Sequence, residues 1–143
     1  MERAVAVTEQ LVALASRFES AAGKKGGYLC LGYGGSSRKA KIGEVPSEKD
    51  EKYSRLAGEK VFRSRLTDMM SWATRDPAKD MWGGAIPGRR FVYGFSGFPE
   101  LWDEALMLML AVVLHDLSLS RARRFAALSG NGYFALLYDA FVN

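Results

Sequence analysis

The chain predicts an α/β (α+β) fold in which helices pack on a central antiparallel sheet. Three observations carry that expectation. Tyr28–Tyr33, a short apolar run, leads through Gly34–Gly35–Ser36–Ser37 to an alternating segment, Lys39–Ile42. A second pair of runs, Gly83–Ile86 and Arg90–Phe95, is joined by Pro87–Gly88. Ser96–Gly97–Phe98–Pro99 then opens a helix that is apolar without interruption from Ala105 to Leu114. Short apolar or alternating runs bounded by turn residues read as hairpin strands, and the last segment reads as a helix with no polar face.

In chain order, Thr8 is placed to cap a first helix, with Leu11, Val12, Leu14, Ala15 and Phe18 as its apolar stripe. Gly23 and Gly26–Gly27 end it. The first hairpin follows, its second strand polar enough for a sheet edge. Ser47 with Asp50 resembles a capping box after Pro46. The helix beyond turns Tyr53, Leu56, Ala57, Val61 and Leu66 inward and Lys49, Lys52, Arg55, Glu59, Arg63 and Arg65 outward. In residues 67–81, Met69, Met70 and Trp72 call for burial, and Arg75–Asp80 forms a loop around Pro77. Pro87–Gly88 suits a type II turn, since proline fixes φ and glycine accepts a positive one. After the long helix the tail forms two short helices, Ser120–Ser129 and Tyr133–Val142, split by Gly130–Asn131–Gly132. The organisation is a single domain, 1–143, with a core over 1–117 and a helical tail over 118–143.

Composition sets the outer limits. With 143 residues, 48% hydrophobic and 25% charged, the chain is long enough to bury a core and ordinary for a globular domain. The net charge of +4 is diluted: Arg38, Lys39 and Lys41 are followed at once by Glu44, Glu48, Asp50 and Glu51. Nucleic acid is therefore not an expected partner. Cys30 is the only cysteine, so no intrachain disulfide forms. The first ten residues lack a signal-peptide core, and Ala105–Leu114 is too short to span a bilayer. A cytoplasmic protein with no membrane partner is the expectation. Ala105–Leu114 also predicts a homo-oligomer. One sheet face covers about half of a helix, and Arg121, Arg123 and Arg124 make the first half of the tail a poor lid, so apolar surface is left for a second copy.

The order of elements and one set of motifs resemble the GlcG/HbpS family of small proteins. Gly83–Gly84–Ala85–Ile86 stands where that family has a GG-x-P-I strand, and Val92–Tyr93–Gly94–Phe95–Ser96–Gly97 where it has V-G-x-x-G-x-S-G. Pro99–Glu100–Leu101–Trp102–Asp103–Glu104 matches its P-E-x-x-D-E helix start, and Ala57–Gly58–Glu59–Lys60 its A-x-x-K helix. The resemblance covers roughly residues 4–115. Tyr33 replaces the family's Asp before Gly34–Gly35, and the tail has no counterpart. What the resemblance implies is a profilin-like sheet, haem or another tetrapyrrole as ligand, and symmetric oligomers that act as carriers, sensors or accessory subunits.

His115 is the only histidine. A haem iron needs one axial protein ligand, so His115 is the metal-ligand candidate; its other reading is a helix C-terminal residue that meets free carbonyls. Lys60, Trp82, Gly83 and Gly84 are the other ligand-binding candidates, the glycines because they admit close backbone approach. Met69, Met70, Met81, Met107 and Met109, with Trp72, Trp82 and Trp102, either line a flat ligand or fill the core. Gly32-x-Gly34 leads into a hairpin rather than a helix, which excludes a phosphate cradle. Glu48, Glu51, Glu100, Asp103 and Glu104 sit in first helical turns, where the helix dipole favours carboxylates. Nothing orients His115 for triad chemistry, so no catalytic residue is assigned. The leading reading is a non-enzymatic small-molecule-binding protein, with haem as the cofactor the resemblance implies. The alternative is an oligomeric interaction module without a cofactor.

Overall fold

Strands β1 (Lys25–Tyr33) and β2 (Ser36–Glu44) form a long antiparallel hairpin in the computed structural model, which describes all 143 residues. Strands β3 (Ala85–Pro87) and β4 (Val92–Ser96) form a second, and β4 pairs with β1. The four-stranded antiparallel sheet has the order β2-β1-β4-β3. As its alternating pattern predicts, β2 is an edge strand, with Ile42 as its only buried residue.

Five helices complete the fold: α1 (Glu2–Ala15), α2 (Asp50–Thr67), α3 (Glu100–Val113), α4 (Leu119–Ser129) and α5 (Tyr133–Val142). Period-two alternation divides the strands between two faces. Leu29, Ile42, Ile86, Tyr93 and Phe95 join the main core with α1 and α3. Cys30 meets Ala57 and Val61 of α2 on the other face. The α2 face is lined by glycine. A Cβ on Gly94 would lie 2.5 Å from Val61 Cγ2 and 3.1 Å from the Ala57 carbonyl, so the absence of a side chain sets how closely α2 approaches.

The inward stripe of α2 contains Leu56, Ala57, Lys60, Val61 and Ser64. Leu66 lies nine residues from Ala57, about 180° around the helix, and is 71% exposed rather than inward. Arg63, expected outside, is buried. The other corrections are local. Helix α1 starts at Glu2, and Thr8 lies within it, donating its hydroxyl to the Ala4 carbonyl at 2.6 Å instead of capping. Ser47 belongs to a 3-10 turn and makes no cap bond. Asp50 instead accepts from the Tyr28 hydroxyl and pairs with Lys41, each at 2.9 Å, tying α2 to the hairpin. Pro87 is in β3 opposite Val92, Gly88 does not adopt a positive φ, and a Gly88 N–H to Phe91 carbonyl bond of 2.7 Å closes the loop. The buried Asp116 carboxylate holds this loop through the Arg90 and Phe91 N–H groups and the Tyr93 hydroxyl.

Helix α3 is the centre of the core. Ala105–Ala111 are each at most 2% exposed. The sheet covers one side, and α1, α4 and α5 cover the rest. Phe134 and Leu137 of α5 and Ala122 and Ala126 of α4 face inward, while Arg121, Arg123 and Arg124 stay outside. The argument for an oligomer from an uncovered α3 is therefore overturned, because α1 and both tail helices share the work. No helix is long and apolar enough to cross a membrane.

Candidate functional site

Lys60 stands on the buried stripe of α2, a position that needs an anion. Asp103 of α3 provides it. The Lys60 ammonium lies 3.0 Å from Asp103 Oδ2 and 2.8 Å from the Phe95 carbonyl, and both side chains are 2% exposed. Asp103 Oδ1 accepts the Phe98 N–H at 2.9 Å, which fixes the turn that starts α3. Burial raises the Asp103 carboxyl above its ordinary range, against the pull of Lys60 and the Phe98 and Gly97 N–H groups. Helices α2 and α3 lie on opposite faces of the sheet, and the pair meets beside Gly84. With φ +124°, a Cβ there would fall 2.9 Å from Asp103 Cβ, Lys60 Nζ and the Phe95 carbonyl alike.

A cleft of about 270 Å³ opens over this pair. Lys60 and Asp103 form its floor, Tyr53, Leu56, Trp82 and Phe98 its walls, and Glu100 part of its rim. Arg63 holds the Trp82 wall. Its guanidinium donates to Glu59, the Ser71 carbonyl, Thr74 Oγ1 and the Trp82 carbonyl, which uses all five N–H groups. The Trp82 indole donates to Asp80 at 2.7 Å. Gly83 N–H donates to Glu100 Oε2 at 3.0 Å, and Glu100 Oε1 pairs with Arg75, whose guanidinium lies 4.6 Å above the Trp72 ring. The loop between α2 and β3 is thus held by one buried arginine and one half-buried salt bridge.

Of the residues singled out from the sequence, Lys60, Trp82, Gly83 and Gly84 are brought together. His115 is not. It lies twelve residues beyond Asp103 along α3 and its cap, roughly 18 Å at helical rise, and it is exposed. Its φ is +58°, its N–H donates to the Val112 carbonyl, and the Asp116 N–H donates to the Ala111 carbonyl. This is a Schellman motif, with His115 in the left-handed position glycine usually takes. Met70, Met107 and Met109 are core residues, and no methionine lines the cleft. Trp102 is fully buried and stacks on Tyr133 at 4.7 Å and 5°.

The cleft therefore does not fit haem ligated through His115. Its polar groups include two ammonium groups, two carboxylates and a phenol, with no imidazole, and its volume is below the usual 300–1,000 Å³ of ligand pockets. No three His, Cys, Asp or Glu side chains gather in a metal-holding group. The sequence reading missed Asp103, Glu100, Tyr53 and Phe98 as site residues. A signal was available for one of them: Lys60 in phase with Leu56, Ala57 and Val61 demands a buried carboxylate, and Asp103 lies just before the apolar run that begins at Ala105.

A second buried carboxylate locks the tail. Glu104 Oε2 accepts from Ser129 Oγ and from Asn131 Nδ2 at 2.8 Å, while Oε1 has no partner. Burial pushes the Glu104 carboxyl up to about 7, against the two donors. Between its ordinary value of 4.5 and about 7, the folded chain keeps a proton that the unfolded chain has lost. That contribution is complete below the lower value and is lost as pH rises through the window. Glu104→Gln removes the buried charge and keeps an acceptor for Ser129 and Asn131. The variant should match the wild type near pH 4 and exceed it by on the order of 2 kcal/mol at pH 8. Urea unfolding at both pH values checks this; an equal difference at the two would show that Glu104 does not titrate in this window.

Comparison of the chain with family models, curated proteins and solved structures finds no match.

Proposed function

We propose that the chain is a non-enzymatic small-molecule-binding protein, a carrier, sensor or accessory subunit whose ligand sits in the cleft over Lys60 and Asp103. The observation that supports this reading is the cleft itself: apolar and aromatic walls around a small number of fixed polar groups is the general form of a ligand site. The Lys60 ammonium spends two of its three N–H groups on Asp103 and the Phe95 carbonyl, which fixes its position on the floor and leaves one donor for a ligand. The resemblance to the GlcG/HbpS family makes a tetrapyrrole the first ligand to test, and His115, exposed at the far end of α3, lies outside this cleft. Haemin titrated into the wild type and into His115→Gly tests both points, since glycine suits the φ of +58° and keeps the helix end intact. A Soret shift identical in the two proteins is the expected form of any haem complex. A shift lost in His115→Gly would restore His115 as the ligand, and no shift in either would remove haem.

The second reading, an interaction module that assembles with its own copies, is favoured by one feature. Phe62, Leu66 and Met69 are 60%, 71% and 51% exposed, and they share the outer face of α2 and the turn that ends it. Sedimentation of the haemin-free protein at micromolar concentration tests the self-assembly this module requires: a monomer removes it, and a dimer that Phe62→Ser/Leu66→Ser dissociates supports it.

A further inference from the structure

The cleft over Lys60 shares part of its lining with a neighbour. A second cavity, about 410 Å³, lies between the turn preceding β1 and the segment linking β2 to α2. Tyr53 and Gly97 line both cavities. The charges along the two are unequal in kind. In the first cleft, Lys60 is neutralised by Asp103 and Glu100 by Arg75. Lys24 and Lys25 in the second cavity and Lys52 in the first lie within ion-pair distance of no carboxylate, and Glu44 is the one unpaired anion opposite them. The cleft over Lys60 is thus apolar and aromatic at Trp82 and Phe98, and the neighbouring cavity sets Lys24 and Lys25 against the single carboxylate of Glu44.

We propose that the two cavities form one groove that takes an amphipathic organic anion, its flat apolar body between Tyr53, Trp82 and Phe98 and its acidic group among Lys24, Lys25 and Lys52. This rests on the binding function proposed above and adds the chemical class of the ligand. Aromatic walls accept a planar body without a directional requirement. Flexible ammonium groups on an exposed rim attract an anion as point charges and leave its exact headgroup open.

The test uses two fluorescent probes of similar shape, 8-anilinonaphthalene-1-sulfonate and the uncharged N-phenyl-1-naphthylamine. The sulfonate should bind the wild type about tenfold more tightly at low salt, and Lys24→Gln/Lys25→Gln/Lys52→Gln should abolish that preference without changing the affinity for the neutral probe. Arg121→Gln/Arg123→Gln/Arg124→Gln removes the same charge from α4 and should leave the preference intact. Tyr53→Ala, which takes away the wall common to both cavities, should weaken both probes. Equal binding of the two probes to the wild type, or a preference that falls equally in both triple variants, overturns the anion assignment and leaves the cleft reading standing. Binding unaffected by Tyr53→Ala places the probes outside the groove and overturns the proposal. Failure of both probes to bind overturns the cleft reading as well.

Discussion

Lys60→Met is expected to cost about 3–5 kcal/mol of folding stability at pH 8, because it leaves the Asp103 carboxylate buried without its cation. The Phe95 carbonyl loses its donor in the same step. Asp103 keeps the backbone N–H groups of Phe98 and Gly97, which are neutral donors and do not replace the lost charge. Without Lys60 the Asp103 carboxyl rises further above its ordinary value, so the folded variant takes up a proton that the unfolded chain does not. Stability is then retained at low pH and lost as pH rises, and the deficit should shrink clearly between pH 8 and pH 5. Lys60→Met/Asp103→Asn, which removes both charges but preserves an acceptor for Phe98, should recover at least half of the loss. Urea denaturation of the three proteins measures it. A single variant within 0.5 kcal/mol of the wild type, at the scale of an exposed pair, would show that water reaches these groups.

Gly84→Ala should destabilise the fold by about 3 kcal/mol or more, from backbone strain and overpacking together. The φ of +124° is one that side chains rarely adopt, and the new methyl would meet Asp103, Lys60 and the Phe95 carbonyl at 2.9 Å. Lys60 and Asp103 are held by each other and the Phe95 carbonyl by Lys60, so none of the three withdraws without breaking a buried bond. Its neighbour is the control. A Cβ on Gly83 lies 3.1 Å from the Trp72 ring edge, and its backbone needs no positive φ. Gly83→Ala should cost about 1 kcal/mol, within the range of a small overpacking. Thermal unfolding of the two variants side by side checks the contrast, and equal losses would mean that the Gly84 position is no more crowded than its neighbour.

The sheet was legible in the sequence because both hairpins are written in local chemistry, and the edge position of β2 follows from Arg38, Lys39 and Lys41 in an alternating strand. The helices of the tail were legible for the same reason, with Gly130–Asn131–Gly132 between them and Gly130 in the left-handed conformation at φ +66°. Long-range packing was less legible. The cover of α3 depends on α1 crossing to the same face as the tail, which no local pattern specifies. Arg63 was assigned to solvent by its charge. Its burial depends on four acceptors, three of them supplied by residues 71–82, whose 3-10 turns carry little periodicity. Half of the site followed from Lys60, midway along α2, and the glycine pair that leads into β3. His115 did not follow, since a residue at the end of a helix has the same sequence signature whether it ligates, caps or faces water.

The account's central claim is that ligands are recognised over the Lys60–Asp103 pair, not around His115 or on the outer face of α2. Amide and indole chemical-shift mapping during titration with haemin or with the aromatic sulfonate tests it most directly. The expected result is that the shifts concentrate on Ser96–Phe98, Tyr53 and the Trp82 indole N–H, with Val113–Leu117 and Phe62–Met69 unmoved. Shifts confined to either of those last two segments, with the Trp82 indole unchanged, would contradict it.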